Sequence, residues 1–337
     1  MFDCILHRNE KCKAMKRKER SDEIDSQIRE DSIRRKRRSG PWKEWRVVVL
    51  GAEGSGRSTI FKQMRIMHQG GYSEEERRMY RSDIFQHVLR SVEDVLSVIH
   101  ELGLAYAEED PLVKYVSEHS PTEDPASLSS ELVSGTDRFW HDQLVKSVVE
   151  QHGSWGDHFE DNGHHFLSQI TRIGSPDYVP TDQDILLART SKTGTIMETT
   201  FSIEEQPIYL YALVRNNSLL YRNSPLDFFD SMTSAIFCVS LSDYDKVKGG
   251  GEAEKQNRLA DSLALWKGIV NSPLFYPCCL ILFLNKLDVF RRKLPKVPLE
   301  AYFPDYIGGN DVTKAATYIL DEFKRASQTR RTVVYPQ

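Results

Sequence analysis

A glycine-rich stretch directly after an apolar run constrains the fold of this chain more than any other feature. It reads GAEGSGRST at residues 51–59 and follows the apolar residues 47–50. A phosphate-binding loop has the form G-x-x-x-x-G-K-[S/T] between a strand and a helix. The chain departs from that form only at Arg57, where lysine is expected. The pattern predicts a loop whose backbone amides and following helix N-terminus hold phosphate oxygens.

Two residues of this loop weaken the match. Arg57 keeps the positive charge, but its planar fork is longer than a lysine ammonium. Glu53 brings a carboxylate into a loop that would face phosphate oxygens, unless Arg57 or Arg189 neutralises it. Ser58 offers a hydroxyl to Mg²⁺, and Thr59 lies one residue further into the helix. A glycine-rich strand-to-helix turn without a ligand is the alternative interpretation.

A second motif follows another apolar run near the C-terminal end. Residues 280–284 read LILFL and precede Asn285-Lys286-Leu287-Asp288. In N-K-x-D the aspartate accepts hydrogen bonds from N1–H and the exocyclic amine of guanine, the asparagine helps to hold the loops, and the lysine stem covers the ring. Alone, the tetrapeptide is an ordinary polar loop. After a strand and downstream of a phosphate loop, it indicates guanine specificity and argues against a phosphate-loop kinase.

Charge is unevenly distributed along the chain. The 337 residues have a net charge of -4 and are 39% apolar, as in an ordinary globular protein. The first forty residues are strongly basic and include the run RRKRR at residues 34–38. A solvated helix face is the simplest interpretation; a partner helix, an anionic membrane surface and a nuclear import signal are the alternatives. We expect no nucleic-acid partner and no membrane span.

Cysteines and histidines give weaker signals. Three of the five cysteines lie in apolar, strand-like runs and are expected to be reduced core residues: Cys238, Cys278 and Cys279. The pair His164-His165 has no further ligand at suitable spacing, so we expect it on the surface of a helix or loop.

Strand and helix signals organise the remainder. Residues 56–68 predict a helix, and from residue 72 to about 182 the strand signals vanish, which predicts an all-helical insertion. Strand signals return at residues 198–203, 208–214, 235–241 and 279–284, with a helical stretch at 253–270. Short apolar strands separated by helices predict an α/β fold with a mostly parallel sheet covered on both faces.

Several stretches resemble the α subunits of heterotrimeric G proteins. They are residues 20–25, 51–76, 178–186, 235–245 and 280–288, and they follow the family's order over nearly the whole chain. The resemblance implies a Ras-like P-loop GTPase domain with an inserted all-helical domain. The implied boundaries are 1–40 for an N-terminal helix, 41–71 for the first part of the GTPase domain, 72–182 for the helical insertion, and 183–337 for the remainder.

The resemblance also implies a site for GTP or GDP with Mg²⁺. Arg189 matches the family arginine that stabilises transition-state charge, and a following threonine would ligate Mg²⁺ together with Ser58. Counting forward from Arg189 puts that threonine position at Lys192, whereas counting back from residues 198–201 puts it at Thr193, which we favour. The implied nucleotide-binding residues are Glu53, Gly54, Ser55, Gly56, Arg57, Ser58, Thr59, Leu187, Ala188, Arg189, Thr193, Asn285, Lys286 and Asp288.

The family has a segment after its third strand that is called the second switch, and this chain departs furthest from the family pattern there. The family has D-V-G-G-Q after the third strand, in which Asp supports Mg²⁺, the second Gly binds the γ-phosphate and Gln orients the attacking water. Here Ala212 stands about where Asp is expected, and the strand continues into residues 215–217, RNN. Asp243 and Asp245 are poor substitutes, because the family has that later sequence as well.

Two further departures concern the γ-phosphate and the C-terminal end. Glu53 replaces a family glycine beside the γ-phosphate, where a side chain would obstruct the attacking water and the arginine. The sequence ends at Gln337, where the family would continue into a sixth strand, a guanine-contacting loop and a receptor-binding helix. We therefore expect slow hydrolysis and a doubtful receptor contact.

Two functions from different classes follow. The first is a guanine nucleotide-binding α subunit that transduces receptor signals with GTP and GDP as its switch and is impaired in hydrolysis. It would dock a βγ dimer and lie in the cytoplasm, peripheral to the inner face of the plasma membrane, with Cys4 a candidate for palmitoylation. The second is a non-catalytic pseudo-GTPase that binds βγ through residues 8–38. A truncated product of marginal stability is a third possibility. The effector and the enzymatic status stay open.

Overall fold

The computed structural model describes residues 44–106, 110–118, 127–151, 162–189, 196–213, 229, 231–248, 256–276 and 278–327. The chain divides into a unit of residues 1–44 and a unit of residues 45–337. The predicted N-terminal helix, Thr193 with Lys192, and residues 215–217 lie outside the described residues.

Strands and helices occur in the described residues in the order that the sequence predicts. The strands are β1 (Trp45–Gly51), β2 (Ile196–Ile203), β3 (Gln206–Leu213), β4 (Ser234–Ser240), β5 (Val247–Lys248), β6 (Gln256–Asn257) and β7 (Cys279–Asn285). The helices are α1 (Arg57–His68), α2 (Glu74–Arg78), α3 (Arg81–Glu101), α4 (Pro111–Glu118), α5 (Ser130–His141), α6 (Gln143–Gln151), α7 (Gly163–Ser168), α8 (Ile170–Ile173), α9 (Asp182–Leu187), α10 (Arg258–Val270), α11 (Leu287–Lys293) and α12 (Val312–Arg325).

A five-stranded sheet has the order β2-β3-β1-β4-β7. Strand β1 pairs in parallel with β3 and β4, and β4 pairs in parallel with β7, whereas β2 pairs antiparallel with β3. The predicted mostly parallel sheet is confirmed. Gly51 is in register with Cys238, and Ser240 with Asn285. The loops after β1 and β7 therefore leave the same edge of the sheet, at its carboxyl end.

Helices cover both faces of the sheet. Alternate residues of a strand point to opposite faces, and β1 divides accordingly. Val48 and Leu50 belong to one hydrophobic cluster, with Trp266 of α10 and Phe323 of α12. Val49 belongs to a second cluster, which includes Phe61 of α1, Leu210 and Cys238. The predicted doubly covered sheet is therefore present.

Only helices occur among the described residues between α1 and β2. Helices α3 to α9 bury a third hydrophobic cluster of their own, which includes Phe85, Val92, Phe139, Phe166 and Ile170. The apolar residues of α3 recur at three- and four-residue spacing, which places them on one helix face. The all-helical character predicted for this stretch is confirmed, while the exact domain boundaries stay a prediction.

One helix boundary and two side-chain placements differ from the sequence-based expectations. Helix α10 begins at Arg258 because the Asn257 side chain accepts from the amides of Leu259 and Ala260, which caps the helix. Cys238 is buried in β4, but Cys278 is only half-buried and Cys279 is exposed. The expectation of three core cysteines was wrong for the latter pair, because Cys279 begins the alternating strand β7 on its exposed side.

In the part of the chain that the structure describes, none of the helices has the length and apolar character needed to cross a membrane.

Candidate functional site

The loop between β1 and α1 depends on glycine at three positions. Gly51, Gly54 and Gly56 have φ values of 144°, 76° and 96°, which only glycine adopts without strain. A methyl group at Gly51 would also lie 2.4 Å from the Cys238 carbonyl oxygen. The loop thus folds tightly over the end of β4 and leads directly into the N-terminus of α1.

The first turn of α1 has backbone amides that no side chain caps. The N-cap is Gly56, which has no side chain to satisfy the first amides, and no acidic residue lies in the first turn. Such amides and the helix dipole favour bound phosphate. Ser58 and Thr59 of this turn are exposed, so their hydroxyls are accessible to a ligand or a cation.

The side chain of Ser55 is a polar group buried within this loop. The residue is 1% exposed, and its hydroxyl is a buried polar group that has no hydrogen-bond partner among the described residues. Leaving such a group unpaired costs about 1–3 kcal/mol. A phosphate oxygen at this loop would satisfy it.

Arg57 is the first residue of α1 and is half-buried. Burial lowers the pKa of its guanidinium, while Cys238 and Glu53 act in the opposite direction. Arginine nevertheless stays charged in proteins. Burial also raises the pKa of the Cys238 thiol to about 12, with Arg57 opposing the rise. The loop therefore presents a fixed positive charge beside an uncharged thiol.

Glu53 is exposed at the tip of the loop. Its negative charge acts to raise the pKa of Arg57.

The N-K-x-D motif contacts the phosphate loop directly. The amide nitrogen of Asn285 donates a 3.0 Å hydrogen bond to the Ser55 carbonyl. A methyl group at Gly56 would lie 2.0 Å from the same nitrogen, so the glycine permits this approach. The Asn285 oxygen in turn accepts from the Lys286 amide at 2.9 Å. The two motifs are thus in direct contact at the carboxyl end of the sheet.

Lys286 and Asp288 begin helix α11. Lys286 has a left-handed backbone with φ 60°, and it is the N-cap of that helix. The Asp288 side chain is 79% exposed and lies 3.9 Å from Arg292. Its carboxylate is accessible to a base that enters beside the loop.

Arg189 reaches the phosphate loop from the other side. A methyl group at Gly54 would lie 3.7 Å from its Nη2 atom, so the guanidinium sits over the loop. The residues before it are tied to the helices: the Leu187 carbonyl accepts 2.8 Å from Asn162, and Ala188 is buried. The structure thus brings the arginine, the glycine loop and Asn285 together.

Two residues that sequence analysis missed hold the backbone beside Arg189. Lys62 is 1% exposed and donates to the carbonyls of Ile185, at 2.8 Å, and Ala188, at 2.6 Å. His87 is 3% exposed, and its Nε2 atom accepts from the Arg189 amide at 2.5 Å. The sequence shows a lysine next to apolar residues of α1. Nothing in the sequence identifies the carbonyl groups that accept hydrogen bonds from this lysine.

Asp243 and Asp245, which follow β4, are engaged in ion pairs away from the position of the missing aspartate. Ala212 lies buried in β3, paired with Val49 of β1. Asp245 pairs with the buried Lys293 at 2.5 Å, and Asp243 lies 3.5 Å from Lys246. Both aspartates are thus held next to lysine side chains. Across the described residues, no cluster of three His, Cys, Asp or Glu could hold a metal ion.

Of the histidine pair, His164 is exposed on helix α7 as expected, whereas His165 is half-buried. Its Nε2 atom is 2.8 Å from the buried Asp184 carboxylate, which also accepts two hydrogen bonds of 2.9 Å from Arg172 and one of 3.0 Å from Tyr178. Burial would raise the pKa of Asp184, but the bonds from His165, Arg172 and Thr181 hold it well below its ordinary range. This network fixes α9 and thereby the approach to Arg189.

The sheet order, the glycine loop after β1 and the guanine-type motif after β7 define a phosphate-loop nucleotide-binding protein. Comparison with known proteins agrees. A family model described as G-protein alpha subunit matches residues 18–337.

Curated relatives from fungi have the same description. A guanine nucleotide-binding protein subunit alpha of Cryptococcus neoformans is 38% identical over 327 residues, covering 95% of this chain and 71% of the relative. The alpha-3 subunit of Ustilago hordei is 36% identical and covers 100% of this chain and 91% of its own. The alpha-3 subunit of Neurospora crassa is 36% identical, with 92% and 85% covered.

The chain therefore belongs to the G-protein alpha subunit family. Membership confirms the Ras-like fold with a helical domain. The family also implies guanine nucleotide binding, signal transduction and heterotrimeric G protein partners in general.

Proposed function

We propose that GDP and GTP bind between the phosphate loop and the N-K-x-D motif, and that their exchange switches this α subunit between two states. The hydrogen bond from Asn285 to Ser55 carries the proposal. It joins the loop that would hold the phosphates to the loop that would hold the base. The buried, unpartnered hydroxyl of Ser55 supports a ligand at this place.

The proposed nucleotide contacts divide by the chemistry of each group. Backbone amides of residues 53–59 and the Arg57 guanidinium bind phosphate oxygens. The Lys286 stem covers the base, and Asp288 accepts from its N1–H and amine. Leu187 and Ala188 bring Arg189 to the phosphates, where the guanidinium stabilises charge that develops during transfer.

Mg²⁺ is part of the proposal, with Ser58 and Thr193 as the protein ligands. Mg²⁺ is commonly bound by one or two protein oxygens together with phosphate oxygens and waters. Ser58 is exposed at the head of α1 and suits that role. Thr193 lies outside the described residues.

We further propose that hydrolysis is slow. Ala212 offers no carboxylate, and Asp243 and Asp245 are engaged in ion pairs. Loss of a group that stabilises transition-state charge or orients water costs a factor of about 10²–10³ in rate. Glu53 adds a carboxylate near the position of the γ-phosphate.

The same observations favour a second candidate, a non-catalytic pseudo-GTPase. Such a protein would hold GDP weakly or not at all and act by binding a βγ dimer through its basic N-terminal segment. In either case we propose a βγ dimer as partner and a location at the cytoplasmic side of the plasma membrane.

Base specificity tests the proposal. Asp288→Asn replaces an acceptor by a donor, so GDP should bind at least about 10-fold more weakly. Xanthosine diphosphate has an acceptor in place of the amine of guanine. It should therefore bind Asp288→Asn more tightly than it binds the original chain. Asp305→Asn, at another exposed position, is the matched control. Unchanged GDP binding by Asp288→Asn would contradict the assignment of the base site.

A further inference from the structure

One peptide bond beside the site has both of its polar groups held by side chains from different helices. The Ala188 carbonyl accepts from Lys62 of α1 at 2.6 Å, and the Arg189 amide donates to His87 of α3 at 2.5 Å. These carbonyl and amide groups belong to the same peptide unit. Because that unit is planar, fixing both groups fixes its orientation.

The two holding side chains are themselves immobilised by packing. Lys62 is 1% exposed and His87 is 3% exposed. The His87 ring stacks on Phe166, with centroids 5.2 Å apart and planes inclined by 25°. For Nε2 to accept a hydrogen bond, that nitrogen must carry no proton, so the proton of the neutral ring resides on Nδ1.

The held peptide sets the start of the Arg189 side chain. The guanidinium of Arg189 lies over Gly54 of the phosphate loop. A change in the ψ torsion of Ala188 that is not compensated at φ of Arg189 would turn the peptide plane and redirect the Cα–Cβ bond of Arg189 away from that loop. The geometry of this peptide is therefore linked to the distance between the guanidinium and a bound phosphate.

We propose that His87 is a positioning residue for Arg189: by accepting the Arg189 amide, it holds the guanidinium over the phosphate loop. The proposal rests on the proposed function, because Arg189 matters only if phosphates bind there. Lys62 completes the arrangement from the other end of the peptide. It also bonds the carbonyl of Ile185 near the end of α9, so its removal would disturb the helix, and His87 is the cleaner position to vary.

Two substitutions separate the hydrogen bond from the packing. His87→Phe keeps a ring that stacks on Phe166 but removes the acceptor. His87→Gln carries an amide oxygen near the position of Nε2 and retains an acceptor. His100→Phe, at the exposed end of the same helix, is the control for a histidine without this contact.

Hydrogen exchange of the full chain provides the first measurement. In His87→Phe, the Arg189 amide should exchange roughly 10-fold faster or more, because its protection depends on the local hydrogen bond. His87→Gln and His100→Phe should exchange like the original chain. Equal exchange in His87→Phe and the original chain would overturn the proposal.

The second measurement is the affinity for GDP with aluminium fluoride, which mimics the transferring phosphoryl group. His87→Phe should weaken it about 3- to 10-fold, as expected for one hydrogen bond, and leave binding of GDP alone unchanged. His87→Gln should restore it. Equal weakening for GDP alone would indicate a general structural role and overturn the proposal. If the original chain binds no GDP, the proposed function fails, and the exchange measurement still decides whether His87 holds this peptide.

Discussion

The side-chain amide of Asn285 donates a 3.0 Å hydrogen bond to the backbone carbonyl of Ser55, 230 residues earlier in the chain. This bond joins the ends of β1 and β7, which are separated in the sheet by β4. Gly56 leaves just enough room for it. The proposed phosphate loop and the proposed base loop are therefore joined by a hydrogen bond at one edge of the sheet.

Removal of this link should weaken nucleotide binding. In Asn285→Ala, the Ser55 carbonyl loses its donor, at a cost of about 1–3 kcal/mol. We expect GDP affinity to fall by roughly 10-fold or more, measured by titration calorimetry. Asn310→Ala changes an exposed asparagine and should bind GDP normally. Equal affinities in the two variants would show that the link does not support binding.

Arg57 should be needed for phosphate binding through its charge. Arg57→Met removes the guanidinium at similar length, and the loss of charge-assisted hydrogen bonds predicts GDP binding roughly 10- to 100-fold weaker. Arg57→Lys keeps a compact cation and should bind at least as well as the original chain. Arg291→Met, at an exposed position of α11, is the control. Undiminished binding by Arg57→Met would contradict the role of Arg57.

Hydrolysis should be slow because the second-switch groups are missing. In single-turnover experiments with bound GTP, we expect a rate at least about 100-fold below that of a family member that carries D-V-G-G-Q. The measurement requires GTP to be loaded first, which separates slow chemistry from weak binding. A rate equal to that of the reference protein would refute this prediction.

Asp184 should make stability depend on pH in the acidic range. Its pKa is lowered in the folded chain, so its contribution is fully present above its unfolded pKa of about 3.9. The contribution is lost as the pH falls toward the lowered folded pKa, because the unfolded chain then binds the proton first.

Denaturant unfolding of Asp184→Asn provides the measurement. At pH 7 we expect a free energy of unfolding lower by about 3–5 kcal/mol, the usual cost of breaking a buried ion pair. Below pH 4 the gap to the original chain should narrow. Asp321→Asn, half-exposed on α12, should change little. A gap that is constant with pH would exclude Asp184 as its source.

Local patterns predicted the elements of the site, while long-range contacts decided how they meet. The glycine loop and the N-K-x-D motif each follow an apolar strand, and parallel strands bring their ends to one edge, so their proximity was predictable. The contact of Lys62 with Ala188 spans 126 residues, and no local pattern contains it. The half-buried position of His165 depends likewise on a carboxylate from another helix. Periodicity identifies a helix face but not the acceptor that a polar residue on it will find.

Binding of guanine nucleotides tests the central claim most directly. The purified chain would be titrated with GDP and with a non-hydrolysable GTP analogue, each with and without Mg²⁺, and with ADP as the control for the base. We predict that both guanine nucleotides bind, that Mg²⁺ strengthens binding of the GTP analogue, and that ADP does not compete. If neither guanine nucleotide binds under any of these conditions, GAEGSGRST is not a working nucleotide site in this chain.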